Sequence, residues 1–169
     1  TDWECICVDD GSTDGSLDIL ARYAKLDPRF KVISQTNQGS ARARNRGLSL
    51  ATGIFLMFCD ADDRVSPSWC EKLVDAMQTS HADFVQCYVD LDCSQLTVEQ
   101  LRGRPIMSEA YLNPPRRLGL VRFQSHGFHR AGVNVLLWNK IFRLAKIRSE
   151  KISFPECRYH EDDYFVAAY

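Results

Sequence analysis

Three carboxylates fall within four positions at Asp60, Asp62 and Asp63, directly after the apolar run Ile54-Phe55-Leu56-Met57-Phe58. Carboxylates this close repel and raise one another's pKa unless a cation compensates them. The chemistry they suit is binding of a hard divalent ion, Mg²⁺ or Mn²⁺, by one or two oxygens, with water and a substrate phosphate filling the other positions. Asp-Ala-Asp-Asp is equally good turn sequence, and taken alone the two readings balance. A second acidic end tips the balance: Asp9-Asp10-Gly11-Ser12 follows the apolar Cys5-Ile6-Cys7-Val8, so two strand ends deliver carboxylates to one edge. Late in the chain His160-Glu161-Asp162-Asp163 adds a third acidic group.

The positioning elements can be read around these groups. Residues 54–59, preceded by the breaker Thr52-Gly53, read as a central strand covered on both faces, of the kind found mostly in parallel sheets. In open α/β sheets the ligand crevice lies outside the carboxyl ends of the strands, where Asp60, Asp62 and Asp63 would emerge. Upstream, residues 3–8 read as a strand, and Leu17, Leu20, Ala21 and Ala24 mark a helix that Thr13 or Asp14 can cap. Asp27-Pro28 stops that helix, residues 31–34 form a short strand, and 40–51 form a helix carrying Arg42, Arg44 and Arg46, closed by Gly53. Strand-helix-strand-helix-strand predicts right-handed crossovers and a parallel sheet. Ser66 as cap and Pro67 at the first helical position open a further helix with Trp69, Cys70, Leu73, Val74 and Met77 on one face. Residues 82–89 read as a strand, and 90–129 lose all periodicity, the mark of a functional loop or of a partly disordered segment. Pattern returns at 133–138 and continues into Lys140-Ile141-Phe142.

Composition narrows the class. At 169 residues, 45% hydrophobic and 25% charged, the chain fits one soluble globular domain with a real core. A net charge of −1 gives no field that would gather nucleic acid or anionic membrane, and no apolar run approaches the ~18 residues that span a bilayer. The chain starts at Thr1 without Met and ends in what reads as an unfinished helix, which leads us to expect a fragment of a longer protein. Of seven cysteines, Cys5, Cys7, Cys59, Cys70 and Cys87 sit in apolar patterns and read as reduced, buried core residues. Zinc-type Cys and His pairs are missing, and a reducing, cytoplasmic compartment fits best.

Four segments together carry a resemblance to the family 2 inverting glycosyltransferases, nucleotide-sugar-binding enzymes of GT-A fold. They are Val8-Asp9-Asp10-Gly11-Ser12-Thr13-Asp14-Gly15-Ser16; Asn37-Gln38-Gly39-Ser40-Ala41-Arg42-Ala43-Arg44-Asn45; Ala51-Thr52-Gly53 leading to Asp60-Ala61-Asp62-Asp63; and Trp138-Asn139-Lys140 with Glu161-Asp162-Asp163. The likeness covers nearly the whole chain and implies an α/β Rossmann-like domain over 1–169, its mostly parallel sheet flanked by helices, with 90–129 as the acceptor side. It implies that Asp10 recognises the nucleotide base, that Asp60 and Asp62 contact ribose and metal, and that Asp162 is the catalytic base. Asp63 can replace or assist Asp62 at the metal, and Arg44 can contact the pyrophosphate. The implied reaction moves a sugar with inversion from a nucleoside diphosphate donor, UDP foremost, to a saccharide or lipid-linked acceptor in polysaccharide synthesis, assisted by Mn²⁺ or Mg²⁺. The reduced cysteines place this chemistry in the cytoplasm or at the cytoplasmic face of the membrane, with membrane association left to segments outside this chain, and the net charge of −1 leaves no role for nucleic acid. The family's opening strand, ending in a Pro-x-Tyr-Asn-like segment, lies before the first residue here, so the expected domain is partial.

Other readings compete residue by residue. Arg42 and Arg46 suit a solvated helix face better than a ligand site, whereas Arg44 is evenly divided between the two. Glu161 reads as structural rather than catalytic. His160 fits a structural role or tuning of the base, and Trp138 fits the core or the floor of a sugar site. A non-catalytic nucleotide- or metal-binding module would need only one acidic pair, and the late Glu161-Asp162 pair speaks against it. A nucleotidyltransferase would carry a glycine- and lysine-rich phosphate loop after its first strand.

Overall fold

The computed structural model describes residues 2–80, 82–87, 137–157 and 160–169. The expected acceptor-side segment 90–129 and the strand residues at 133–136 lie outside the described residues. Strand β1 (Cys5–Asp9) is followed by helix α1 (Ser16–Leu26), strand β2 (Phe30–Ser34), helix α2 (Ser40–Leu50) and strand β3 (Phe55–Met57). Helix α3 (Trp69–Ser80), strand β4 (Phe84–Gln86), strand β5 (Lys140–Arg143), helix α4 (Leu144–Ser149) and helix α5 (Glu161–Ala168) complete the order. The expected βαβ unit is present: β1 and β2 pair in parallel, Cys5 opposite Phe30 through Asp9 opposite Ser34.

The central strand departs from its expected pairing. Among the described residues β3 is three residues long and pairs antiparallel with β5, Phe55 opposite Arg143 and Met57 opposite Ile141, while β5 also pairs antiparallel with β4. Among the described residues the two ladders are separate, one of order β1-β2 and one of order β3-β5-β4. Glu4 spans the interval between them, accepting from Lys31 Nζ at 2.6 Å and from the Thr52 backbone N–H at 2.6 Å. Lys31 and Thr52 together pull the Glu4 carboxyl down to about 2. Coverage on both faces holds, because the side chains of β3 alternate. Leu56 and Phe58 join a core of Leu137, Phe142, Phe154 and Phe165, while Phe55 and Met57 join Leu73, Met77, Val85 and Ile141. Ile54, read as part of the buried run, is instead 77% exposed.

The helices follow their patterns with instructive differences. Helix α2 buries Ala41 and ends at Ala51, also buried, and Gly47 packs against Val8 of β1. Helix α1 buries none of its residues fully, and Leu17 and Ala21 are exposed. Among the described residues the ladder under α1 has only two strands, too narrow to cover that stripe. Asp14 does not cap α1 in the usual position; its carboxylate accepts from Ser16 N–H at 2.9 Å, one residue past the Gly15 cap. Ser66-Pro67 forms a turn, with Trp69 N–H bonded to the Ser66 carbonyl, and α3 begins only at Trp69. The described cysteines are free thiols, but Cys5, Cys7, Cys70 and Cys87 are half-buried and Cys59 is exposed, so the expectation of a fully buried set does not hold. Helix α3, at 12 residues, is the longest described, and no described helix is long and apolar enough to cross a membrane.

One contact fixes α2 to the end of the chain. Asn45 donates from Nδ2 to the Phe154 carbonyl and accepts at Oδ1 from the Phe154 N–H, both at 2.8 Å. Phe154 is 2% exposed and stacks on Phe165 of α5 at 4.2 Å. Asn45→Ala orphans both backbone groups in a buried setting, and each such group costs about 1–3 kcal/mol. We therefore expect a lower urea midpoint for Asn45→Ala in the whole protein, by more than the ~0.5 kcal/mol typical of neutral surface changes. An unchanged midpoint would show that Phe154 finds other partners.

Candidate functional site

The acidic turn after β3 and the start of α5 meet across one guanidinium. Arg44 projects from α2; its Nη1 donates to Glu161 Oε1 at 2.8 Å and to Asp162 Oδ1 at 2.7 Å, and its Nη2 donates to Asp60 Oδ1 at 3.0 Å. Its side chain is 19% exposed, and its guanidinium lies over the Phe154 ring at 5.7 Å. Ser40, the first residue of α2, donates from Oγ to the same Glu161 oxygen. Burial alone would lower the Arg44 pKa, but Asp162, Asp60 and Glu161 outweigh it and raise it.

The two adjacent acids at the start of α5 titrate in opposite directions. Burial pushes Asp162 above the ordinary aspartate value; Arg44 opposes that, while Glu161, Asp60 and Asp163 add to it. Burial also works to raise Glu161, but the hydrogen bond from Ser40 and the Arg44 contact bring it below its usual value. Glu161 is thus a fixed anion with two donors, and Asp162 is a carboxyl set toward accepting a proton. His160, directly ahead of them, adopts left-handed φ of 68° and bonds Asp163 at 3.1 Å. Among the described residues no hydrogen bond or ion pair joins it to Asp162. Lys140 on β5 is fully buried, with Nζ donating to Asn139 Oδ1 at 2.9 Å, and desolvation brings it down to about 7 against opposing fields from Cys87 and Asp162.

Asp62 and Asp63 sit on the exposed turn closed by the Asp63 N–H bond to the Asp60 carbonyl at 3.1 Å. Burial and then the charges of Asp60 and Asp62 push the Asp63 carboxyl up, the sign expected of hard oxygens crowded without a cation. Among the described residues no three His, Cys, Asp or Glu converge as a ready-made metal cage. A Mg²⁺ or Mn²⁺ that takes one or two carboxylates and completes its shell with phosphate and water does not need one, so the donor set fits such an ion.

Asp10 lies apart from this cluster. Its Oδ1 accepts from Gln35 Nε2 at 2.8 Å and Gln38 N–H at 2.9 Å, and its Oδ2 accepts from Gly39 N–H at 2.7 Å. Those bonds overcome the effect of burial and hold its pKa low. Asp9, 5% exposed, accepts from Ser12 N–H and Ser34 Oγ. Gly11 lets the loops close together: its φ is +76°, and a Cβ there would meet Asn37 N at 2.8 Å. Asp10 therefore pins the 35–39 loop that leads into Ser40, and among the described residues Oδ2 accepts this one bond, leaving its other lone pair available. A cavity of about 520 Å³ opens beside this loop, lined by Ser34, Gln35, Gln38, Arg42, Asn45 and Glu156. None of Asp60, Asp62 or Asp162 lines it, so this cavity is separate from the carboxylate cluster. Arg42 is exposed and paired with Glu156 at 2.7 Å, and Arg46 is exposed, as a solvated helix face requires.

Arg44, Asp60, Glu161 and Asp162 are thus brought into one cluster, Asp62 and Asp63 onto its rim, and Asp10 into an adjoining loop. The reading from sequence missed Asn45 and Ser40. An Asn in the middle of a helix was the available signal, since Asn is a weak helix former and bonds readily to backbone.

The family model described as "Glycosyl transferase family 2" matches residues 1–145. EpsH of Bacillus subtilis, which bears a glycosyltransferase name, is 34% identical over 170 residues, covering 96% of this chain and 45% of the relative. YibD of Escherichia coli, also named a glycosyltransferase, is 32% identical, covering 94% of this chain and 45% of its own. The crystal structure of Staphylococcus aureus TarS residues 1–349 superposes with a TM-score of 0.73 at 24% identity over 98% of this chain and 45% of TarS. The same protein in complex with UDP-GlcNAc superposes at 0.70 and 23% identity, covering 98% of this chain and 44% of TarS. The chain spans about half the length of the relatives it matches, and the TarS likeness establishes the fold.

Proposed function

The chain belongs to glycosyl transferase family 2, and from that membership we propose that the whole protein transfers a sugar from a nucleoside diphosphate donor to a hydroxyl acceptor with inversion. The observation that carries the reading is the meeting of Asp60 and Asp162, from distant parts of the chain, across Arg44. TarS has been crystallised with UDP-GlcNAc, which makes a UDP-sugar the first donor to try. The acceptor classes to test are a saccharide and a lipid-linked sugar.

Asp162 is the base in this reading. It takes the proton of the acceptor hydroxyl as that oxygen bonds to the anomeric carbon, while the bond from that carbon to the diphosphate oxygen breaks and the nucleoside diphosphate leaves from the opposite face. Its raised pKa suits proton acceptance, because a base pushed toward the working pH is the stronger acceptor. Glu161, held by Ser40 and Arg44, fixes the backbone of the first α5 turn and so the direction in which Asp162 projects. Asp60 and the free lone pair of Asp10 are the protein's oxygens for ribose and base. Asp62, with Asp63 beside it, would hold Mn²⁺ or Mg²⁺, which when bound neutralises charge developing on the diphosphate.

The test is direct. The whole protein incubated with Mn²⁺ and a panel of UDP-hexoses should release UDP, faster when an oligosaccharide or polyprenyl-phosphate sugar is added. Absence of UDP release across UDP-, GDP- and dTDP-linked sugars with every acceptor class would overturn the reading.

A further inference from the structure

Resting on that functional reading, we propose that Arg44 is a positioning residue for the base: seated on Phe154 and anchored by Glu161, its guanidinium aims the Asp162 carboxylate and is not a ligand of the donor diphosphate. The geometry separates the two roles. Both Nη1 protons are committed, one to Glu161 and one to Asp162, and one Nη2 proton is committed to Asp60. A diphosphate drawing Arg44 away would leave Asp162 and Glu161 side by side without their shared cation, and breaking one partner out of a half-buried charge cluster is costly. The guanidinium is also held from below. Phe154 lies under it at 5.7 Å, stacks on Phe165 of α5 at 4.2 Å, and is tied through its backbone to Asn45, the next residue of α2.

Arg44 and Asn45 therefore act as a pair. Asn45 sets the height of the aromatic platform, and Arg44 reaches across that platform to the two acids that open α5. A fork of fixed planar geometry can hold two carboxylates at one nitrogen and a third at the other; a lysine ammonium lacks that fork. The charged groups that face Asp162 are Arg44 from α2, Asp60 after β3, Lys140 on β5, and Glu161 and Asp163 on its own helix. Arg44 is in direct contact, its Nη1 donating to Asp162 Oδ1 at 2.7 Å.

The experiment compares Arg44→Gln and Arg44→Lys with wild type in the whole protein, reading donor affinity, turnover against pH, and the ¹³C carboxyl titration of Asp162 in the unliganded protein. Misplacement of a reacting group by about 1 Å costs on the order of 10²-fold, so Arg44→Gln should lose about that in turnover. Its affinity for UDP-sugar in Mn²⁺ should stay near wild type, and the acid limb of its rate profile should move to higher pH. Arg44→Lys, which keeps a cation among the carboxylates and so protects the fold, should return the limb toward its wild-type position without restoring turnover. Loss of donor affinity with the limb unmoved would overturn the proposal and make Arg44 a diphosphate ligand. The unliganded titration does not depend on the reaction: if Asp162 titrates alike in all three proteins the proposal fails, whereas a wild type that transfers no sugar fails the functional reading instead.

Discussion

Asp162→Asn is expected to reduce sugar transfer by ~10² to 10⁴-fold, the usual worth of general-base catalysis, while leaving donor affinity close to wild type. The substitution keeps size and can still accept from Arg44 Nη1 through its amide oxygen, so the geometry of the cluster survives while proton acceptance is lost. The pH dependence follows from the same carboxyl. Its folded pKa is raised above the ordinary aspartate value, first by burial and then by Glu161, Asp60 and Asp163. The acceptor proton can be taken only when Asp162 is ionised, so turnover falls as pH drops through that raised value and levels off above it. The acid limb should therefore lie at higher pH than a solvent-exposed aspartate would give, and it should vanish from the residual rate of Asp162→Asn. Retention of near wild-type turnover would transfer the role to Glu161 or Asp163. Of those, Glu161 is the weaker candidate, since Ser40 and Arg44 hold its pKa low.

The outcome for individual elements shows which physical signals a sequence carries. Helix α2 and the β1-α1-β2 unit were legible because periodicity and breakers such as Asp27-Pro28 and Gly53 are local. The pairing of β3 was not, because six apolar residues announce burial on both faces but say nothing of the neighbour. That neighbour, β5, comes from more than eighty residues later by the register of Phe55 with Arg143. Site residues divide the same way. The type and spacing of Asp60, Asp62 and Asp162 suggested carboxylate chemistry. Arg44's triple engagement could not be foreseen, since two of its partners sit 117 and 118 positions away. The resemblance implies that Asp10 recognises the base; that its oxygens also hold the loop 35–39 depends on backbone N–H directions no sequence pattern encodes. The free thiols followed from their patterns, but their depth did not, because β1 leaves Cys5 and Cys7 only partly covered and Cys59, two residues past β3, is exposed.

Asp62→Ala is expected to abolish the gain in UDP affinity that Mn²⁺ confers, with the fold unchanged. Asp62 is exposed on the turn after β3 and makes no hydrogen bond or ion pair among the described residues, so its removal costs no packing and lessens the crowding that pushes Asp63 up. If it supplies an oxygen to the cation, the loss in metal-dependent affinity should be at least the ~10 to 100-fold that removal of a mere outer-shell partner costs. The comparison that isolates the metal is UDP titrated calorimetrically with and without Mn²⁺ into wild type, Asp62→Ala and Asp63→Ala. In wild type the two conditions should differ widely; in Asp62→Ala they should converge on the metal-free value; in Asp63→Ala they should differ by an intermediate amount if Asp63 only assists. Since Asp60 remains tied to Arg44 in all three, the metal-free affinities should coincide, and a fall there would mean that the turn itself had moved. Equal Mn²⁺ enhancement in Asp62→Ala and wild type would remove Asp62 from the metal site, and a full loss in Asp63→Ala alone would hand the role to its neighbour.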